Sequence, residues 1–163
     1  MILNRQRRVR VPLANLRKFL ARAQRTLHLP SQSLTVCLVT DSEIARWNRL
    51  YRRKSGPTDV LSFPANGTRR RGRLSRSQRK SEPVSVSFAS SAPSTSSASY
   101  LGDIAIAPAV AKRNARRFGR TYDEEMRILV LHGILHLMGY DHETDTGQMD
   151  RREKRLRRAL GLA

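Results

Sequence analysis

Apolar positions along the chain fall into short runs that alternate with helically spaced stretches. The run at residues 33–40 is rich in β-branched side chains and predicts a buried strand. Shorter apolar runs predict two further strands at 60–63 and 101–107. Val9 and Val11 alternate with arginines, a pattern that predicts a half-exposed strand near the start of the chain.

Helical spacing predicts five helices between and after these strands. Two of them begin at capping-box pairs, Thr40 with Glu43 and Thr121 with Glu124, and Gly139 is placed to end the second of these. The mixture of elements predicts an α+β fold with a small mixed β-sheet packed with helices. The predicted helices cover residues 13–27, 40–51, 108–119, 123–138 and 147–160.

Length and cysteine content narrow the class of protein. A chain of 163 residues favours a single domain, here residues 1–163. Its one cysteine, Cys37, excludes an intramolecular disulfide framework and suits a reducing compartment, so we expect a cytoplasmic protein. No apolar run approaches the ~20 residues that cross a bilayer, and we expect no membrane partner.

Charge points to a polyanionic partner. The chain has 32 basic and 13 acidic residues, for a net charge of +19, and such a field attracts nucleic acid. Residues 65–100 contain eleven serines, seven basic residues and one acid, without useful periodicity, which predicts a largely disordered insertion. Seven basic residues and one acid account for +6 of the charge, so +13 remains on the rest of the domain.

Three of the four histidines lie within the eleven residues HGILHLMGYDH. His132 and His136 are four apart, so they share a face of the predicted helix, and a turn at Gly139 can return His142 to them. Imidazole is a preferred zinc ligand, and three protein ligands with an open fourth position are typical of a catalytic site. The alternative is a set of scattered core or surface histidines. The same helix presents an apolar face made by Ile128, Leu131, Leu135 and Met138.

The residue after the first histidine argues against a peptidase. The His-x3-His-x5-His spacing is that of the metzincin proteases, whose general-base glutamate would stand where this chain has Gly133. Coordination to a metal can still activate a water molecule, so another hydrolysis is favoured. The positive charge of the domain favours a phosphodiester bond as its target.

Three segments together resemble the YbeY-type family of bacterial endoribonucleases: HGILHLMGYDH, NRLYRRKSGPTDVLSFP at residues 48–64, and LGDIAI at residues 101–106. The resemblance implies a zinc-dependent, single-strand-specific RNase that matures small-subunit rRNA and clears defective ribosomes. It implies one Zn²⁺ held by His132, His136 and His142, a catalytic role for Arg52, and RNA and the small ribosomal subunit as partners. It implies no small-molecule organic cofactor.

Three carboxylates are candidates for roles around the histidines. Asp59 could cap a turn or hydrogen-bond a zinc ligand, and Asp103 or Asp141 could orient a histidine or accept a proton. Two other functions stay open at this stage. One is an rRNA-binding assembly factor with a structural zinc, and the other is a metallopeptidase.

The serine- and arginine-rich segment generates a first prediction. Replacing residues 66–99 with a short Gly/Ser linker should leave folding and zinc binding intact but weaken RNA affinity, because its basic residues neutralise phosphates. The slope of log affinity against log salt should become shallower, and turnover at saturating RNA should barely change. Identical slopes for the parent and the deletion variant would show a loop without an RNA-binding role.

Overall fold

A computed structural model describes residues 1–65, 100–142 and 145–162. Apart from its two end residues, the predicted insertion at 65–100 therefore lies outside the described residues. The strands are β1 (Ile2–Asn4), β2 (Leu34–Leu38), β3 (Val60–Pro64) and β4 (Gly102–Ile106). The helices are α1 (Leu13–Thr26), α2 (Asp41–Arg52), α3 (Pro108–Arg117), α4 (Tyr122–Leu137) and α5 (Gln148–Ala159).

The four strands form one mixed sheet in the order β1-β2-β4-β3. β1, β2 and β4 are parallel, whereas β3 runs antiparallel to β4 at the edge. In the register, Ile104 of β4 lies between Val36 of β2 and Ser62 of β3. The predicted α+β fold with a small mixed sheet is confirmed.

Helix α4 is the centre of the larger apolar core. The sequence predicts one apolar face for this helix, but Met126, Leu129 and Ile134, which lie off that face, are also buried. The helix contacts β3, β4, α1, α3 and α5, so it is covered on nearly every side. A helix that is apolar all round is typical of such a buried position.

The other face of the sheet is covered by α2. Ile44 and Trp47 of this helix pack with Cys37 of β2 and Ala105 of β4 in a second, smaller cluster of buried side chains. Because side chains alternate along a strand, Ile104 and Ile106 face α4, whereas Asp103 and Ala105 lie on the side of α2. The sheet thus separates α4 from α2.

The first strand differs from the one that the sequence predicts. Val9 and Val11 were expected to alternate in a strand, but the strand is Ile2–Asn4, and residues 5–12 form a loop. The buried side chain of Gln6 closes a turn there: its Nε2 donates to the Val9 carbonyl and its Oε1 accepts from the Val9 N–H, each at 2.9 Å. These bonds take the backbone groups that a strand at Val9 would use.

None of the helices in the described part of the chain has the length and apolar character needed to span a membrane.

Close packing of α4 against the sheet depends on Gly133. A Cβ atom at this position would lie 2.7 Å from Cγ2 of Ile104, which is fully buried in β4. Cγ2 is fixed directly to the β-carbon of Ile104, so it cannot swing away as the end of a long side chain could. A larger side chain at residue 133, including the glutamate of a metzincin, would force Ile104 or the helix to shift.

Replacing Gly133 by Ala should therefore destabilise the protein. Alanine gains about 1 kcal/mol of helix propensity, but overpacking costs about 1–3 kcal/mol, so we expect a net loss of about 1 kcal/mol in the free energy of unfolding. Ile104→Ala removes the clashing atoms, so the cost of Gly133→Ala should vanish in that background. Denaturant unfolding of the four proteins in this cycle measures the coupling, and equal costs in both backgrounds would contradict the packing argument.

Candidate metal centre

The three histidines of the motif converge at the end of α4. His132 and His136 lie one helical turn apart, and their Nε2 atoms are 3.1 Å from each other. The chain leaves the helix after Leu137, and Gly139 takes a φ of +91°, a conformation that favours glycine. This turn returns His142 so that its ring centroid lies 5.6 Å from that of His132 and 5.3 Å from that of His136.

The beginning of α4 fixes the register of the helix that carries two of these ligands. The Thr121 side chain accepts from the Glu124 N–H, and the Glu124 carboxylate accepts from the Thr121 N–H, which is the predicted capping box. Most residues of α4 are buried in the core, so the helix is held rigidly. The two histidine side chains therefore project from a fixed element.

A glutamate from the last helix holds His132. Oε2 of Glu153 lies 3.0 Å from Nδ1 of His132, and the other carboxylate oxygen accepts from the Arg157 guanidinium. Glu153 is only 7% exposed, so this bond is shielded from water. A bond at Nδ1 favours the tautomer that carries its proton there, which leaves the Nε2 lone pair for a metal.

Electrostatics at the site favour neutral imidazole and an ionised glutamate. Burial lowers the pKa of His136, and repulsion from His132 and His142 lowers it further. Burial raises the pKa of Glu153, but the hydrogen bond from His132 and the charge of Arg157 outweigh this and hold the pKa below its usual value. Deprotonated imidazole is the form that binds a metal.

The donor set fits a divalent transition metal. One nitrogen from each of the three histidines can be chosen so that all of them lie within 4.8 Å of one another. Three imidazoles, one of them oriented by a carboxylate, are typical of a zinc site, and nickel or iron would accept the same ligands. The predicted grouping of His132, His136 and His142 is thus present in the structure.

Of the three candidate aspartates, Asp141 is the one whose charge acts on the histidines. It directly precedes His142, and its negative charge favours the protonated form of His136. It also lines a cavity of about 290 Å³ between the end of α4 and the start of α5, with Tyr140 and Asp145. The carboxylate of Asp145 caps α5, accepting from the N–H groups of residues 147–149.

Asp59 and Asp103 make their bonds elsewhere. Asp59 accepts from the Val60 N–H at 2.8 Å and from Nδ2 of Asn114 at 2.9 Å, so it ties the start of β3 to α3. Asp103 accepts from the Tyr100 hydroxyl at 2.6 Å on the sheet face opposite α4, where burial raises its pKa. Within the described residues, neither carboxylate bonds to one of the three histidines.

Arg52 is the last residue of α2 and is exposed. The neighbouring Tyr51 packs edge-on against Phe63 of β3, with ring centroids 5.2 Å apart. The next residue along β3, Ser62, donates from its hydroxyl to the Gly133 carbonyl at 3.2 Å. Strand β3 thus connects the end of α2 that carries Arg52 to the histidine helix.

Sequence reasoning missed Glu153. The signal was present, because Met149, Glu153 and Leu156 share helical spacing, and all three are buried in the structure. An acid on the apolar stripe of a mostly basic helix indicates a buried partner. The histidine that supplies this partner lies 21 residues away in the sequence, and only the packing of α5 on α4 brings the two together.

Comparison with protein families gives a match over nearly the whole chain. The sequence profile of the family described as Endoribonuclease YbeY matches residues 1–161. A relative from Koribacter versatilis, named Endoribonuclease YbeY, is 35% identical over 164 residues, which cover 99% of this chain and 86% of the relative. One from Solibacter usitatus with the same name is 40% identical over 122 residues, which cover 75% of this chain and 62% of the relative.

A solved structure is also similar. The solution structure of TM1509 from Thermotoga maritima superimposes with a TM-score of 0.56 at 27% sequence identity. The match covers 98% of this chain and 89% of the Thermotoga protein.

Two substitutions distinguish a residue that binds the metal from a residue that orients a metal ligand. When the protein is loaded with zinc, His136→Ala should bind much less of the metal than the parent and have lower thermal stability, because metal binding is coupled to folding. Glu153→Gln keeps the shape of the supporting side chain but loses its charge, and zinc affinity should fall by about 10–100-fold. Zinc competition titrations and elemental analysis measure both effects. A full zinc complement in the His136 variant would contradict the ligand assignment, and unchanged affinity in the Glu153 variant would contradict the supporting role.

Proposed function

Because the chain belongs to the Endoribonuclease YbeY family, we propose that it is a zinc-dependent endoribonuclease that cleaves single-stranded RNA in the maturation of small-subunit rRNA. The observation that carries the proposal is the three-histidine cluster with His132 oriented by the buried Glu153. The names of the relatives support hydrolysis of RNA. The alignment with the Solibacter usitatus relative spans 62% of that relative's length.

The proposed chemistry assigns a task to each residue around the cluster. His132, His136 and His142 would hold the metal, which when bound supplies Lewis-acid activation of water and of the phosphoryl group. Glu153 keeps His132 in the tautomer that offers Nε2. We assign proton acceptance to Asp141, because its charge acts on His136 and residue 133 has no room for a carboxylate.

Arg52 is proposed as the group that binds the reacting phosphate. A guanidinium can hold two phosphate oxygens at once and offset the negative charge that develops during cleavage. This role rests on the resemblance of residues 48–64 to the family's motif. The contact of Tyr51 with Phe63 joins the end of α2 to β3, the edge strand whose other face bonds the histidine helix. The remaining positive charge of the domain would hold the flanking phosphates.

In the cell, the proposed partners are rRNA and the small ribosomal subunit, and the proposed place of action is the cytoplasm. Removal of defective ribosomes is the second part of this proposal. The resemblance of the sequence to the YbeY-type family implies these partners and this second task, and the net charge of +19 supports a polyanionic partner.

The central experiment compares substrates and metal states of the purified protein. Zinc-loaded protein should cleave single-stranded RNA, a chelator should abolish the cleavage, and added zinc should restore it. Casein, offered as a control substrate, should stay intact. Binding of rRNA without cleavage would instead indicate an assembly factor with a structural metal, and cleavage of casein would indicate a peptidase; either result would overturn the proposal.

Arg52→Lys tests the phosphate-binding role. Lysine keeps the charge but loses the planar fork, so the cleavage rate should fall by more than about tenfold while zinc content and thermal stability stay unchanged. Arg49→Lys, an exposed position in the last turn of the same helix, is the matched control and should cleave like the parent. Equal rates in the two variants would reduce Arg52 to one surface cation among many.

A further inference from the structure

An exposed phenylalanine lies at the turn between α3 and α4. Phe118 directly follows the last residue of α3 and is 53% exposed. Its backbone N–H donates to the Asn114 carbonyl at 2.9 Å, so the turn that carries it is ordered. Within the described residues, Phe118 belongs to neither cluster of packed apolar side chains. The backbone that carries the ring is thus ordered, and the ring itself is not part of either core cluster.

Two arginines stand over the ring of Phe118. The guanidinium carbon of Arg117 lies 5.7 Å from the ring centroid, and that of Arg120 lies 5.2 Å from it. Arg120 also forms an ion pair of 3.0 Å with Glu125, which is only 3% exposed. Arg120 is therefore anchored over the ring, and Phe118 is still 53% exposed with both guanidinium groups in place, so part of the ring stays open to a ligand.

The rest of α3 continues this basic surface. Its buried side faces the core with Val110, Ala111 and Ala115. No acidic residue occurs between positions 108 and 121. The exposed side carries cations that repeat at intervals of four: Lys112 with Arg116, and Arg113 with Arg117. Of these, Arg113 forms an ion pair of 3.1 Å with Asp41 of α2.

The aromatic ring and the cations around it indicate which class of ligand this surface would bind. A flat ring with cations around it matches a nucleobase, which offers a π-face, and its flanking phosphates, which offer negative charge. An acidic peptide would use the cations but not the ring, and a membrane would need a larger apolar area than one side chain. In a duplex the bases are stacked on one another and closed to the ring, so the match is to a single strand.

We propose that Phe118, with Arg117 and Arg120, is a stacking site for an unpaired base of single-stranded RNA whose neighbouring phosphates contact the basic side of α3. The identity of the polymer as RNA rests on the proposed function. His132 lies ten residues after Tyr122, or about 15 Å along α4 at 1.5 Å per residue. The site thus binds substrate at a distance from the bond that is cleaved, and it contributes affinity and not turnover.

Substitution of Phe118 by Leu is the first test. Leucine keeps an apolar side chain but removes the π-face, so Kd for a single-stranded 2′-O-methyl oligouridylate of about twelve nucleotides should rise about tenfold. Kd for the corresponding RNA duplex should not change. In cleavage assays KM should rise while kcat stays at the parent's value. Equal Kd values of the variant and the parent for the single strand would overturn the proposal.

Tryptophan at the same position gives a direct signature of stacking. A base stacked on an indole ring quenches its fluorescence, and the native Trp47 is only 3% exposed, so it supplies a constant background. The fluorescence of Phe118→Trp should fall when oligouridylate is added, whereas that of the parent should stay constant. Unquenched fluorescence at saturating oligonucleotide would also overturn the proposal.

A charge-matched pair of variants separates the site from general electrostatics. Arg117→Gln and Arg25→Gln each remove one exposed cation, and Arg25 lies in the last turn of α1. Arg117→Gln should weaken single-strand binding several-fold more than Arg25→Gln, and equal effects would contradict the site.

The outcomes also distinguish the stacking site from the proposed function on which it rests. A parent that cleaves RNA with no role for Phe118 refutes the stacking site alone, whereas a parent that neither cleaves nor binds RNA refutes the proposed function as well.

Discussion

The contact between α4 and β4 at Gly133 is the constraint on which the rest of the site depends. Because this residue has no side chain, the helix lies directly on Ile104 and accepts a hydrogen bond from Ser62 at the carbonyl of the same residue. Its neighbour His132 is thereby fixed relative to the sheet, and His136 is one turn further along. Close interior packing transmits position in this way because neither partner can shift without opening a gap.

The same contact explains why the site has no general-base glutamate directly after its first histidine. In a metzincin the residue after the first histidine carries the general base, and here that position is buried against a strand. The cluster therefore combines a protease-like ligand spacing with a different source of supporting charge, namely Glu153 from α5 on one side and Asp141 on the other. The lack of a carboxylate at residue 133 argues against the peptidase alternative, and the family supports the proposed hydrolysis of RNA.

Local patterns predicted the elements well, and long-range contacts account for most of the differences. The capping pairs at Thr40 and Thr121 and the turn at Gly139 lie where the sequence predicts, because each depends only on residues a few positions apart. The short β1 escaped prediction because three residues are too few to show the periodicity of a strand. Glu153 was missed because nothing near it in the sequence shows that His132 is its partner.

The bond between Glu153 and His132 links α5 to α4, two packed helices whose bonded residues are 21 positions apart in the sequence. A ligand that favours the oriented form of His132 also favours the packed position of α5, and by thermodynamic reciprocity the packing of α5 raises the affinity for that ligand by the same factor. The local opening of α5 therefore depends on whether the metal site at the end of α4 is occupied. In a metal-poor environment its amide protons would exchange faster, and supply of the ion would slow that exchange.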